Sequence, residues 1–305
     1  MFIWNEKNVW FWLINAIQIS FIIYHGSILF KFTSFYKKNN SSSFDCATVK
    51  VISTNIYQFN TDFKRFKNLI KKENPDIFIT IESNKIWERE LSELENDFPH
   101  TEKVPLENTY GMHLYSKIPF QEVKTHFFVA DDLPSIEAHF KFENGEDFVV
   151  FAVHPPPPSP TEEDTSKERD GDLLSIAKRV KKIGKPVLVI GDFNTVAWSE
   201  ISSLFRKNSG LIDGRVGRGI LASFHAKYWF LRIPLDLVFH SAELFLKELK
   251  VLEAIGSDHF PIRCEFGICK SDDSQKNEIE HLEDDEREET EELIEEGKEE
   301  KSENR

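Results

Sequence analysis

The sequence predicts a mixed α/β domain behind an N-terminal membrane helix, and three observations carry that prediction. Short apolar runs rich in Val, Ile and Phe recur between residues 47 and 266, separated by charged stretches with helical spacing. An uncharged apolar segment runs from Trp10 to Phe30. The chain of 305 residues is 40% hydrophobic and 30% charged, with 27 phenylalanines, which excludes collagen-like, linker-like and wholly disordered proteins and leaves enough apolar side chains for a large core.

At about 1.5 Å per residue the segment Trp10–Phe30 is long enough to cross a bilayer. Trp4, Trp10 and Trp12 stand at one end and Tyr24, Phe32, Phe35 and Tyr36 towards the other, where interfacial aromatic anchors belong. A secretory signal fits less well, because Glu6 and Lys7 make a poor basic flank and no small-x-small cleavage pattern follows. The competing reading is an amphipathic helix packed on the domain or on a membrane surface. For a lone helix, Lys31, Lys37 and Lys38 outweigh Lys7 and favour a cytoplasmic C-terminal flank. Residues 1–38 therefore read as a membrane anchor and 39–46 as a polar linker. Strands are expected at 47–53, 76–81, 110–115, 136–142, 147–153, 186–190, 235–240 and 261–266. Helices are expected at 62–73, from Phe63, Phe66, Leu69 and Ile70, and at 168–182, from Leu173, Leu174, Ile176, Ala177 and Val180. The folded domain spans 47–268.

The net charge of -14 is unevenly spread: residues 271–305 hold 17 acidic against 5 basic side chains. Residues 269–305 are expected to be a disordered acidic tail or a solvated helix, whose deletion leaves fold and turnover nearly intact. The middle of the chain is mildly acidic and shows no broad basic face, which disfavours nonspecific DNA binding. Three cysteines without Cys-x-x-Cys spacing point away from zinc and redox chemistry.

Several strand ends present polar groups. Val187–Asn194 is an apolar strand that ends in glycine and then offers Asp192 and Asn194. Gly256-Ser-Asp-His-Phe-Pro places Asp258 beside His259, and Ile-Pro-Leu-Asp236-Leu-Val-Phe-His sets a carboxylate in an apolar strand, where it needs an imidazole or a metal as partner. Asn55 closes Val-Ile-Ser-Thr-Asn and Glu82 closes Ile-Phe-Ile-Thr-Ile-Glu. Taken singly, each is compatible with an Asx-type turn or a structural histidine.

In this order the motifs resemble the endonuclease/exonuclease/phosphatase superfamily with the DNase I-like fold, over roughly residues 47–266. The resemblance places the first metal-site asparagine on Asn55, the metal-binding glutamate on Glu82, the cleft histidine on His154, the Gly-Asp-x-Asn pair on Asp192 and Asn194, and the Ser-Asp-His motif on Ser257, Asp258 and His259, with Asp236 supporting that histidine. Leu133-Pro-Ser-Ile, Val153-His-Pro-Pro-Pro-Pro158, Ala197-Trp-Ser, Leu211–Gly219 and Ser223-Phe-His-Ala look like the bacterial YafD-like branch, some of whose members carry membrane helices. One departure is the turn after His154, where Pro155–Pro158 and Ser-Pro-Thr-Glu-Glu-Asp stand in place of an Arg-rich turn.

The resemblance implies a four-layer sandwich of two packed mixed β-sheets flanked by helices. It also implies a hydrolase of phosphate esters using Mg²⁺ or Mn²⁺ at Asn55, Glu82 and Asp258. His259 is the expected general base oriented by Asp236, Asp192 orients the attacking water, Asn194 donates to a phosphoryl oxygen and His154 assists at the transition state. Arg215 and Arg218, between glycines in an expected loop, are candidates to hold a substrate phosphate bidentately, the alternative being a merely solvated glycine-arginine loop. The leading reading is a phosphodiesterase or phosphatase at a membrane, the bacterial inner membrane, acting on a lipid-linked or other small phosphate ester. A nuclease and a noncatalytic membrane-tethered interaction protein are the alternatives.

Overall fold

Strands whose residues are buried on both faces belong inside a layered fold, and Val187–Asp192 and Ile77–Ile81 are buried at every position. The computed structural model describes residues 9–36, 47–158, 165–268 and 274–300; the expected linker 39–46 and the acidic stretch 159–164 lie outside them. In chain order the elements are α1 (Val9–Phe30), β1 (Thr48–Asn55), α2 (Phe63–Glu73), β2 (Ile77–Ile81), α3 (Lys85–Leu91), β3 (His100–Val104), β4 (Met112–Ser116), β5 (Glu122–Phe127), β6 (Pro134–Lys141), β7 (Asp147–Val153), α4 (Lys167–Ile183), β8 (Val187–Asp192), α5 (Glu200–Ser209), β9 (Ile212–Asp213), β10 (Asp236–His240), β11 (Leu244–Val251), β12 (Ile262–Ile268) and α6 (Asp284–Glu299).

Two 6-stranded sheets form, in the orders β11-β12-β1-β2-β4-β3 and β5-β6-β7-β8-β10-β9. Each is mixed: β1 runs parallel to β2 and β7 parallel to β8, and the remaining neighbours are antiparallel. A central core that includes Val51, Ile79, Leu114, Val150, Leu188, Val238 and Phe266 lies between the sheets. Phe66, Leu69 and Ile70 of α2 and Trp87 of α3 cover the outside of the first sheet, and Leu173, Ile176, Ala177 and Val180 of α4 with Ile201, Leu204 and Phe205 of α5 cover the second. The result is the expected helix–sheet–sheet–helix sandwich.

Each strand expected from the sequence forms, with boundaries moved by at most two residues. The strands the periodicity did not reveal, β3, β5, β9 and β11, are the outermost strands of the two sheets. Edge strands keep one flank in solvent and carry charged side chains, as in His-Thr-Glu-Lys-Val of β3, so their apolar alternation is diluted.

The acidic C-terminal segment corrects the sequence expectation. Residues 284–299 form α6, which packs along α4 with Thr290 and Ile294 buried. The two helices meet glycine to glycine: a Cβ added to Gly297 would lie 2.7 Å from the Lys167 carbonyl and 2.9 Å from the Gly171 Cα. The acidity that argued for a solvated tail is matched by the helices beneath it, through Arg206–Glu280 at 2.8 Å, Lys167–Glu296 at 3.6 Å, Lys178–Glu291 and Lys207–Glu286. Gln275 anchors the approach by donating to the carbonyls of Ala242 and Leu244.

Candidate active site

One end of the sandwich collects the polar strand ends. Asn55 closes β1, Glu82 follows β2, His154 follows β7, Asp192 closes β8, Asp236 opens β10 and His259 precedes β12. Register aligns them: Asp236 pairs directly with Asp192 across β10 and β8. Gly191 is required for this arrangement, because a Cβ there would lie 2.0 Å from the Val153 carbonyl, where β7 and β8 close on each other immediately before His154 and Asp192.

Hydrogen bonds join the groups into one cluster. The Asn55 amide donates to Glu82 Oε1 at 2.7 Å and to Asp192 Oδ2 at 3.2 Å. His259 Nδ1 is 2.8 Å from Asp236 Oδ2, and its Nε2 is 3.5 Å from Asp192 Oδ2. His154 Nε2 stands 4.0 Å from the same Asp192 oxygen. Ser257 Oγ donates to the Asn55 carbonyl at 2.8 Å and lies 3.3 Å from Asp258 Oδ1, which joins Asp258 to the rim of the cluster. Asn194 bonds through its backbone N–H to Asp192 and through its side-chain amide to the Pro155 carbonyl at 2.9 Å. Glu82 and Asn194 hold left-handed backbones, with φ of 61° and 48°, a conformation that costs energy outside glycine and is enriched at functional sites.

Charge is held under tension here. Burial pushes the Glu82 carboxyl up to about 7, against the lowering effect of its hydrogen bonds from Asn55 and Gln58. Burial alone would lower His259, but the carboxylates of Asp236 and Asp192 outweigh it and raise the imidazole to about 10. Burial pushes His154 down to about 4, with Asp192 opposing the shift in part. Two buried polar atoms of the cluster, Asp236 Oδ1 and His154 Nδ1, have no hydrogen-bond partner.

Eight of the ten expected site residues thus converge on this cleft. Arg215 and Arg218 do not. Arg215 is 1% exposed, pairs with Asp213 at 3.4 Å, and lies over the Phe32 ring. Arg218 donates to the carbonyls of Gly214 and Leu246. The expected phosphate clamp is corrected to a pair of structural arginines that staple the loop before β10. The structure adds partners without a sequence signal of their own: Gln58 donates from its backbone to Glu82 at 3.2 Å, Tyr110 lies against the His154 ring, and Phe224 against His259. Ser223, in a motif the sequence did show, accepts the Asp236 N–H at 3.1 Å.

The model of the endonuclease/exonuclease/phosphatase family matches residues 52–259. The chain belongs to this family. Its members are hydrolases of phosphate esters, and the match begins within β1 and ends at His259. Among solved structures the family member resembles D. rerio TDP2 complexed with a single-strand DNA product, with a TM-score of 0.62 and 15% identity over 72% of this chain and 99% of that one. The human Nocturnin catalytic domain with a bound sulfate gives 0.59 and 17% over 73% and 95%. An endonuclease/exonuclease/phosphatase protein from Bacteroides vulgatus gives 0.60 and 18% over 73% and 100%. At these identities the likeness is one of fold. No curated protein sequence matches the chain.

Proposed function

We propose that the protein is a divalent-metal-dependent hydrolase of phosphate esters, held at a membrane by α1 and acting on a small or lipid-linked ester. The observation that carries the reading is the single cluster of hydrogen bonds and close ion-pair contacts that joins Asn55 and Glu82 to Asp192, Asp236 and His259.

The donor set fits a hard cation. Glu82 is a carboxylate among carboxylates, Asp258 raises its pKa further, and the cluster offers oxygen ligands such as Mg²⁺ or Mn²⁺ prefers. Asp192, Asp236 and His259 also bring one donor atom each within 4.8 Å of one another. Asn55, Glu82 and Asp258 would hold the ion, leaving Asp192, Asp236 and His259 for proton handling. A bound cation supplies positive charge against the phosphate and lowers the proton affinity of the neighbouring imidazole.

The chain's own groups do the rest. Asp236 fixes the tautomer and orientation of His259 through Nδ1, so that Nε2 faces Asp192 and the cleft. A water beside His259 Nε2 and Asp192 is positioned to lose a proton to the neutral imidazole as its oxygen attacks phosphorus, while the ester P–O bond breaks and the leaving oxygen takes its proton from solvent. Asn194 uses one amide hydrogen on Pro155 and keeps the other for a phosphoryl oxygen. His154, neutral at pH 7, donates a neutral hydrogen bond near the developing charge.

Membrane attachment rests on α1, 22 residues with no charged and no buried side chain. The chain just beyond it is fastened to the domain, for Phe32 is buried in the core of the second sheet and the Lys31 carbonyl accepts the Gly217 N–H at 2.9 Å. A cleavable leader has no need of such a joint.

The test is calorimetric titration of Mg²⁺ and Mn²⁺ into wild type and Glu82→Gln, beside hydrolysis of DNA, RNA, phospholipid, polyprenyl pyrophosphate and inositol phosphates. Loss of metal affinity and of turnover in the variant is expected. Unchanged binding and turnover would remove Glu82 from the site.

A further inference from the structure

The most solvent-exposed aromatic surface of the domain stands beside the catalytic cleft. Residues 224–233 form a hairpin, closed by reciprocal backbone bonds between Phe224 and Ile233 and by the His225 N–H donating to the Leu231 carbonyl at 2.9 Å. Its tip is Tyr228-Trp229-Phe230-Leu231, with Trp229 81% and Phe230 65% exposed. No packing in the domain accounts for four large apolar side chains in water at one tip. Its base abuts the site: the Ala226 N–H donates to the Asp258 carbonyl at 2.6 Å and the Phe224 ring lies 4.9 Å from that of His259.

Three further observations say what covers the tip. Exposed Lys227 and Arg232 bracket the quartet, and each lies over a ring, Tyr57 at 5.3 Å and Phe260 at 4.8 Å. Apolar and aromatic side chains between basic flanks are the composition of a segment that rests in a lipid interface with anionic headgroups at its edges. Phe59, also exposed, adjoins through the Tyr57 ring at 5.6 Å. Finally, the joint between α1 and the domain is made on chain segments that lead into the hairpin and out of the cleft. Gly217, which holds Lys31, lies in the β9–β10 segment that also carries the hairpin, and Trp198, 5.7 Å from Phe32, lies in the loop that follows Asp192.

We propose that the hairpin tip, Tyr228–Leu231, inserts into the bilayer that holds α1, so that the cleft opens onto the lipid surface and takes phosphate esters carried on lipids. The proposal rests on the reading of the cleft as a phosphate-ester hydrolase and adds the surface from which the substrate is drawn. The anchor and the hairpin give the domain two points of attachment, which fixes the cleft at headgroup depth where one flexible tether would leave it free to tumble. An exposed aromatic tip also suits stacking of single-stranded bases; the joint to α1 favours the lipid.

The experiment uses the full chain in proteoliposomes of phosphatidylethanolamine and phosphatidylglycerol. A polarity-sensitive fluorophore is attached through Trp229→Cys, or through Asn144→Cys in the β6–β7 turn at the opposite end of the sheet, with Cys46 and Cys269 replaced by serine. Quenching by nitroxide lipids is expected at position 229 and not at 144. Equal quenching at both, or none at 229, overturns the proposal. In the same vesicles the double variant W229S/F230S should lose at least tenfold in kcat/KM on a lipid-borne phosphate ester and stay within twofold on soluble bis(p-nitrophenyl) phosphate. Equal losses on both substrates would assign the tip to the architecture of the site, and a selective loss on a single-stranded oligonucleotide would assign it to nucleic acid; either overturns the lipid reading. If the wild type hydrolyses none of these esters, the reading of the cleft fails, while the quenching still decides the insertion.

Discussion

His259 faces a carboxylate from each of its nitrogens, and the two contacts have separable consequences. Asp236, at 2.8 Å, orients the ring; Asp192, at 3.5 Å, marks where a water would meet it. Asp236→Asn and His259→Gln should therefore each lower kcat by roughly 10²–10⁴, and the double variant should be little worse than His259→Gln alone, since Asp236 acts through the imidazole. Single-turnover rates of the three variants check this, and full additivity would separate the two residues. A second prediction concerns Glu137, buried on β6 beneath α4. Burial alone would raise its carboxyl, but hydrogen bonds from His126 at 2.8 Å, Arg179 at 2.7 Å and His139 at 2.6 Å hold it well below the ordinary carboxylate range. A depressed folded-state pKa gives stability that is complete above the unfolded value of about 4.3 and drains away as pH falls below it. Glu137→Gln should cost about 3 kcal/mol at neutral pH, the lower end for a broken buried pair because Arg179 is 30% exposed. The gap to wild type should narrow below about pH 4 in urea titrations. A gap independent of pH would mean that packing, not the carboxylate charge, is lost. At this scale the polar side chains that gather at the cleft were legible because they are Asp, Asn, Glu and His at strand ends. Arg215 and Arg218 were misread because a glycine-arginine loop looks the same whether its guanidinium faces a ligand or, as here, a buried aspartate and two carbonyls.

Elements were legible in proportion to their burial. Central strands announced themselves as unbroken Val, Ile and Phe, whereas β3, β5, β9 and β11, at the sheet margins, are short, half-exposed or bulged and carry the charges that protect an edge. Helix α6 shows the converse failure. Its few buried positions, Thr290, Ile294 and Gly297, give almost no apolar stripe, and its acidic side chains resemble a solvated tail until the lysines of α4 and α5 are seen beneath them. Surface pairs contribute little singly, so the close approach at Gly171 and Gly297 is the sensitive point. Gly297→Val should separate the helices and cost about 1–3 kcal/mol, lowering the thermal midpoint by roughly 2–4 °C per kcal/mol for a domain of this size. Removal of residues 274–305 should do at least as much, the reverse of the expectation from composition. A midpoint within 1 °C of wild type for both, an interval of about a quarter to a half kcal/mol on the same scale, would show that α6 docks without stabilising.

On the scale of the whole molecule, the site belongs to neither sheet. Asn55, Glu82 and His259 extend from β1, β2 and β12 of one sheet, and His154, Asp192 and Asp236 from β7, β8 and β10 of the other. The bonds that matter cross between the sheets, Asn55 to Asp192 and His259 to Asp236 and Asp192. Their geometry depends on the apolar core between the sheets, so the cluster has no existence apart from global packing. Leu114, buried in that core on β4 and away from every site residue named above, offers a clean test. Leu114→Ala should cost about 2–5 kcal/mol through lost burial and a residual cavity. Because the site and the core are one cooperative unit, hydrolysis, near-ultraviolet and far-ultraviolet circular dichroism of the detergent-solubilised chain should fail together at a urea midpoint lowered equally for all three. Turnover at low urea, where the folded state still dominates, should stay close to wild type. Activity lost well before either optical signal would mean that the sheets part at the cleft before the core unfolds, and that the two halves of the site are joined more weakly than the packing between them implies.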